Sequence, residues 1–139
     1  MDRISPEIRS VNMRRIRSTG MKPEMAVRRA VHGLGYRYRL HVNDLPGRPD
    51  LVFRSRKKII FVHGCFWHQH PGCSAAHIPA SNVRYWSAKF ARTIARDATN
   101  LRELCANGWE VLVIWECETK DIATVQATVR RFLTERAGG

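Results

Sequence analysis

The segment Ile59-Ile60-Phe61-Val62 restricts the fold of this chain more than any other. Side chains alternate faces along a strand, so an unbroken apolar run is apolar on both faces and must be covered on both. Lys58 leads into it, and Ser55-Arg56-Lys57 before it reads as a hairpin turn. Residues 109–115 (WEVLVIW) are a second run of this kind, read as another buried strand. Residues 36–42 and 50–54 are also strand-like, separated by a Pro- and Gly-rich turn at 43–49.

Helices are available to cover both faces. Residues 23–34 open on Pro23, carry Val27, Ala30, Val31 and Leu34 as a stripe, and close at Gly35. Glu24 extends that stripe at the first turn. Residues 82–106 place Trp86, Phe90, Ile94, Leu101 and Leu104 at helical spacing and stop at Asn107-Gly108. Residues 121–136 carry Ile122, Val125, Val129, Phe132 and Leu133. A short basic helix is expected over residues 5–18, with Ser5 as N-cap and Pro6 following. The expected class is α/β, a mixed central β-sheet flanked by helices. At 139 residues the chain is one domain, with a basic arm over 1–20 ahead of a domain over 21–139.

Charge points to the partner. There are 24 Lys and Arg against 12 acids, a formal charge of +12, and 19 of the 24 are Arg. Arginine's planar fork grips phosphate oxygens in pairs, so a polyanion such as nucleic acid is the natural partner. No apolar run approaches the ~20 residues needed to span a bilayer. The first seven residues lack an apolar signal core, so a cytoplasmic protein is expected.

The segment 63–80 has no periodicity but concentrates chemistry. Cys65, His70 and Cys73 lie at C-x4-H-x2-C, close enough to wrap one zinc ion. Cys117, directly after a strand read as central, is the expected fourth ligand. A catalytic zinc is disfavoured, because neither H-x-E nor H-E-x-x-H occurs. Cys105, near the apolar side of the long helix, reads as a core residue.

Pro49-Asp50 begins a strand, as do the metal-holding aspartates of many Mg²⁺-dependent nucleases. The next strand ends in Val62-His63-Gly64, where such enzymes carry an acid and a lysine. Glu24, Asp50 and Asp97 are three acids that periodicity aims inward, and carboxylates are rarely buried without partners. His68 is placed to pair with one of them, and a carboxylate-oriented histidine is a common general base. Phe66 and Trp67 stand in a polar loop, with Trp86 soon after. They either pack over the metal loop or act as wedges that unstack base pairs.

These residues resemble the very short patch repair (Vsr) family of DNA mismatch endonucleases over nearly the whole chain. The matching strings are Asn12-Met13-Arg14, Leu45-Pro46-Gly47-Arg48-Pro49-Asp50, His63-Gly64-Cys65-Phe66-Trp67-His68, Trp86, Asp97, Gly108-Trp109 and Trp115-Glu116-Cys117. The resemblance implies a fold like type II restriction endonucleases with a structural zinc loop. It implies a monomer that nicks double-stranded DNA 5′ of the thymine in a T·G mismatch, with transient contacts to mismatch-repair proteins. Asp50 would hold Mg²⁺, with the Val62 carbonyl as a backbone ligand. His68 would be the catalytic histidine and Asp97 its acidic neighbour, with His63 and Glu24 in support. Cys65, His70, Cys73 and Cys117 would hold zinc. Phe66, Trp67 and Trp86 would intercalate beside the mismatch, and Met13 and Ile16 of the arm would meet the minor groove. The alternative is a zinc-stapled damage-binding module that does not cut.

Overall fold

A computed structural model describes residues 21–135. The elements are α1 (Pro23–Gly33), β1 (Arg39–Leu40), β2 (Leu51–Phe53), β3 (Lys58–His63), α2 (Val83–Ala106), β4 (Glu110–Trp115) and α3 (Ile122–Thr134). The expected arm over residues 1–20, with Met13, Ile16 and the helix over 5–18, lies outside the described residues.

The strands form one sheet in the order β1-β2-β3-β4. β2 pairs antiparallel with β3, Leu51 opposite Ile60. β3 pairs parallel with β4, from Lys58–Glu110 to His63–Trp115. The doubly apolar β3 is therefore central, as its sequence requires, and the sheet is mixed. Ile60 faces one core, with Val27, Val31, Leu51, Ile114, Val125 and Val129 from α1, α3 and neighbouring strands. Ile59 and Phe61 face a second core with Val52, Leu104 and Trp109. Burying each such aliphatic side chain stabilises the fold by about 1.5–3 kcal/mol.

Asp121 caps α3, accepting from the Ala123 N–H at 3.1 Å. α1 and α3 approach closely at Gly33, where an added Cβ would lie 2.8 Å from Gln126 Nε2. The Gln126 amide donates to the Ala30 carbonyl at 3.2 Å beside that contact. Lys58 is buried under α3, pairs with Glu110 at 3.3 Å, and donates to the Phe132 and Glu135 carbonyls. Those carbonyls belong to the end of a helix, where a cation offsets unsatisfied acceptors.

Four expectations need correction. The segment 36–42 forms only two strand residues, because the partner strand gives way to a 3-10 turn at Arg54–Arg56 on one side and His41 adopts a left-handed φ of 47° on the other. Residues 109–115 do form a strand, but among the described residues β4 is the sheet edge and is mostly half-buried. Cys117 accordingly follows an edge strand, not a central one. On α2 only Phe90 and Leu104 are buried, while Ile94 and Leu101 are 51% and 41% exposed. Cys105 is exposed, not a core residue.

Candidate active site

A cleft of about 470 Å³ opens between α2 and the sheet, with Asp50, Val62, His63, His68, Asp97 and Trp115 among its lining. Ile94 and Leu101 also line it. The apolar stripe of α2 thus overhangs a cavity, and this explains the exposure of both residues.

Strand geometry positions Asp50. β2 and β3 stop pairing at Leu51–Ile60, which leaves the Val62 N–H beyond the ladder. The Asp50 carboxylate takes its place, accepting from that N–H through Oδ2 at 2.7 Å. Burial raises the Asp50 pKa above the usual carboxylate value, the Val62 hydrogen bond opposes this, and the nearby Glu24 charge adds to the rise. The carboxylate is one that a bound cation would favour strongly.

His68 and Asp97 come from different elements, the loop after β3 and the middle of α2. Their Nδ1 and Oδ2 are 2.7 Å apart. An ionised carboxylate only accepts, so the imidazole must donate through Nδ1–H, which leaves Nε2 as a proton acceptor. The His63 ring lies flat on His68, centroids 3.8 Å apart and planes 4° apart. Burial, reinforced by the charge on His68, lowers the His63 pKa to about 4. His63 therefore stays neutral at pH 7, and its Nδ1 is buried without a hydrogen-bond partner.

The three acids do not gather at one point. Asp97 joins His68, while Glu24 sits with Asp50 in a second group built around His41. His41 Nε2 is 3.0 Å from Glu24 Oε2 and 3.9 Å from Asp50 Oδ1. Sequence reasoning missed His41. The signal for it was the hairpin register: Leu40 pairs with Leu51, which places His41 across from Asp50.

Cys65, His70, Cys73 and Cys117 converge, with all four donor atoms within 4.8 Å of one another. His70 Nδ1 is 3.6 Å from Cys65 Sγ and 3.5 Å from Cys117 Sγ. Tetrahedral zinc with bonds of about 2.3 Å to sulfur and 2.0 Å to nitrogen sets its donors about 3.5–3.8 Å apart. The donor set and spacing fit that ion. Burial pushes the Cys65 thiol up to about 12, so its thiolate needs a strong positive charge beside it. The Ala75 backbone N–H holds Cys73 below its usual value. The loop is tied internally, His68 N–H to Gly64 carbonyl at 3.1 Å and His70 N–H to Cys65 carbonyl at 3.0 Å. His70 stacks on Trp115 at 4.2 Å, and Trp115 meets His63 edge-on at 5.3 Å. The Cys/His cluster and the His68 pair therefore share one packed scaffold.

Phe66, Trp67 and Trp86 form one aromatic group, with Phe66 5.0 Å from Trp67 and 5.5 Å from Trp86. Phe66 also packs on Phe90 at 5.1 Å, so it roots the group in α2. Trp67 is 53% exposed at its outer side. Tyr85, 56% exposed and 5.1 Å from Trp86, extends the surface and was not anticipated.

The family model for DNA mismatch endonuclease Vsr matches residues 1–74. Type II nicking enzyme V.XorIIP of Xanthomonas oryzae pv. oryzae is 48% identical over 132 residues, 95% of this chain and 96% of that protein. Type II nicking enzyme V.NmeAIP of Neisseria meningitidis is 39% identical, covering 91% of this chain and 90% of its own length. DNA mismatch endonuclease Vsr of Escherichia coli is 38% identical over 78% of this chain and 69% of its own. The protein is a DNA endonuclease. Within that class, the chain belongs to the Vsr family of DNA mismatch endonucleases. No helix among the described residues is long and apolar enough to cross a membrane.

Proposed function

We propose that this endonuclease acts as a monomer, nicking double-stranded DNA 5′ of the thymine in a T·G mismatch, with Mg²⁺ in the cleft and a structural zinc in the loop after β3. The fold would then be of the type II restriction endonuclease kind. The observation that carries the reading is the 2.7 Å His68–Asp97 pair, which opens on the same cleft as Asp50.

Asp50 and the Val62 carbonyl would hold Mg²⁺, which supplies Lewis-acid charge to the scissile phosphate and leaving oxygen. His68 Nε2 takes the proton of the attacking water. Asp97 fixes the imidazole tautomer through Nδ1–H and stabilises the imidazolium that forms. His63, neutral and stacked, holds the His68 ring in plane without adding a competing charge. Glu24 adds negative charge beside Asp50 and strengthens the demand for a cation there. Cys65, His70, Cys73 and Cys117 would hold zinc and so fix the loop that carries His68 and Trp67. Phe66, Trp67 and Trp86 enter the duplex at the mispaired step, where unstacking costs less than in matched DNA. Met13 and Ile16 reach the minor groove.

Asp50→Ala tests the assignment. Nicking of a T·G duplex with Mg²⁺ should be abolished while binding of that duplex is largely kept. Cutting within about tenfold of wild type, ~1.4 kcal/mol of barrier, would overturn it.

A further inference from the structure

The cleft that holds Asp50 and His68 has one permanent cation. Arg48 is the only Lys or Arg among the described residues that line it, in a chain that has 24 of them. The acidic side chains in its wall are Asp50 and Asp97, and both repel a phosphate. Many Mg²⁺-dependent nucleases with an aspartate ahead of one strand carry a lysine at the end of the next. Here β3 ends in Val62-His63. Its one lysine, Lys58, lies at the far end of the strand, buried and paired with Glu110 at 3.3 Å. No lysine therefore reaches the cleft from β3.

The chain builds Arg48 into the wall of the cleft. Leu45-Pro46-Gly47-Arg48 has the form of a type II turn, with proline second and glycine third at a φ of 77°. The Arg48 N–H closes it by donating to the Leu45 carbonyl at 3.0 Å. The turn is wedged in place, because a Cβ on Gly47 would lie 3.0 Å from both Asn100 Nδ2 and Phe61 Cζ. Pro49 is fully buried on the other side of Arg48. Arg48 and Asp50 flank that proline and both line the cleft. Arg48 is exposed, and among the described residues its guanidinium forms no ion pair. Packing fixes the backbone here, and no carboxylate of the fold answers the charge.

We propose that Arg48 is a catalytic residue of the nicking reaction, whose guanidinium holds the non-bridging oxygens of the scissile phosphate and stabilises the charge that builds on them in the transition state. The proposal rests on the reading of this cleft as the nicking site and adds the group that receives the phosphate there. A planar fork with parallel N–H donors matches two phosphate oxygens. Its charge is permanent, so Arg48 neither gives nor takes a proton, and the general-base role stays with His68. When water attacks a phosphodiester, negative charge spreads over those oxygens, and a donor already fixed beside them lowers the barrier.

The test uses the full-length protein and a T·G duplex. Arg48→Gly removes the guanidinium and accepts the φ of 52° at this position. Arg48→Asn, which also tolerates positive φ, takes its place if the glycine variant does not fold. Single-turnover nicking with Mg²⁺ at saturating duplex should slow by about 10²–10³, the usual loss for one donor to a developing oxyanion. Binding without added Mg²⁺ is titrated in parallel, on the ordinary duplex and on one whose scissile phosphate is a neutral methylphosphonate. The variant should bind the ordinary duplex about tenfold or more weaker than the wild type, as expected for a hydrogen bond to a charged group. On the methylphosphonate duplex the two proteins should bind alike. A variant rate close to wild type at saturating duplex would overturn the proposal and leave the Asp50 reading intact. Equal losses on the two duplexes would overturn it too, placing Arg48 on another phosphate. If the wild type does not nick the T·G duplex, both readings fall.

Discussion

Asp97 accepts one hydrogen bond, and that contact decides which nitrogen of His68 can take a proton. His68→Ala should therefore slow the chemical step by about 10² to 10⁴, the range for a positioned acid or base. Asp97→Asn should act in the same direction, because an amide can present its NH₂ to Nδ1 and favour the wrong tautomer. Single-turnover nicking measures both. Unchanged rates in His68→Ala would move the general-base role elsewhere. The reach of sequence reasoning at this scale was uneven. Asp97 was legible because a carboxylate on an apolar stripe needs a reason. His41 was not, since a lone histidine in a short polar segment carries no signal until the register with Asp50 is known. Cys105 misled for a related reason. Periodicity assigned it to the apolar side of α2, but the adjacent Leu104 takes the buried position in the second core and leaves the thiol exposed.

At the level of elements, a single loop serves two purposes. It carries three of the four clustered Cys/His donors, and it also carries His68 and Trp67. If zinc occupies the cluster, its binding energy is part of the folding energy of that loop. One zinc per chain is expected by elemental analysis. Cys73→Ser should lower zinc content and thermal stability and reduce nicking together, because His68 is tied to Gly64 within the same loop. Well-folded, active protein without zinc would contradict this. The elements themselves were largely readable. β3 declared itself central because Ile59 to Val62 are all apolar, and α1 and α3 bury the stripes their sequences carry. β4 has an equally apolar sequence yet lies at the sheet edge among the described residues. Composition alone cannot separate a strand paired on both sides from one paired on a single side and covered by helices on its faces. The segment 36–42 kept only two strand residues because its partner turns away at Arg54–Arg56 and His41 is left-handed, and no propensity scale registers either.

For the molecule as a whole, the proposal divides the work of DNA recognition between charge and aromatic surface. The formal charge of +12 supplies phosphate attraction that is blind to sequence and weakens with salt. In the proposed reading the exposed Trp67, backed by Phe66 and Trp86, would supply a term that depends on how easily a base step opens. Trp67→Ala should therefore weaken binding to a T·G duplex more than to a matched one, with nearly the same salt dependence. Titration of both duplexes at several salt concentrations reads this directly, and equal losses would show that the aromatics only pack over the loop.

The central claim is a strand-specific cut at a mismatch by a cleft built from Asp50, His68 and Asp97. The most direct measurement is a single-turnover digest of end-labelled duplexes with Mg²⁺, each strand read at nucleotide resolution. One nick is expected, immediately 5′ of the thymine of the T·G pair, with the opposite strand and the matched duplex intact. Cleavage of both strands, or equal cutting of matched DNA, would contradict it.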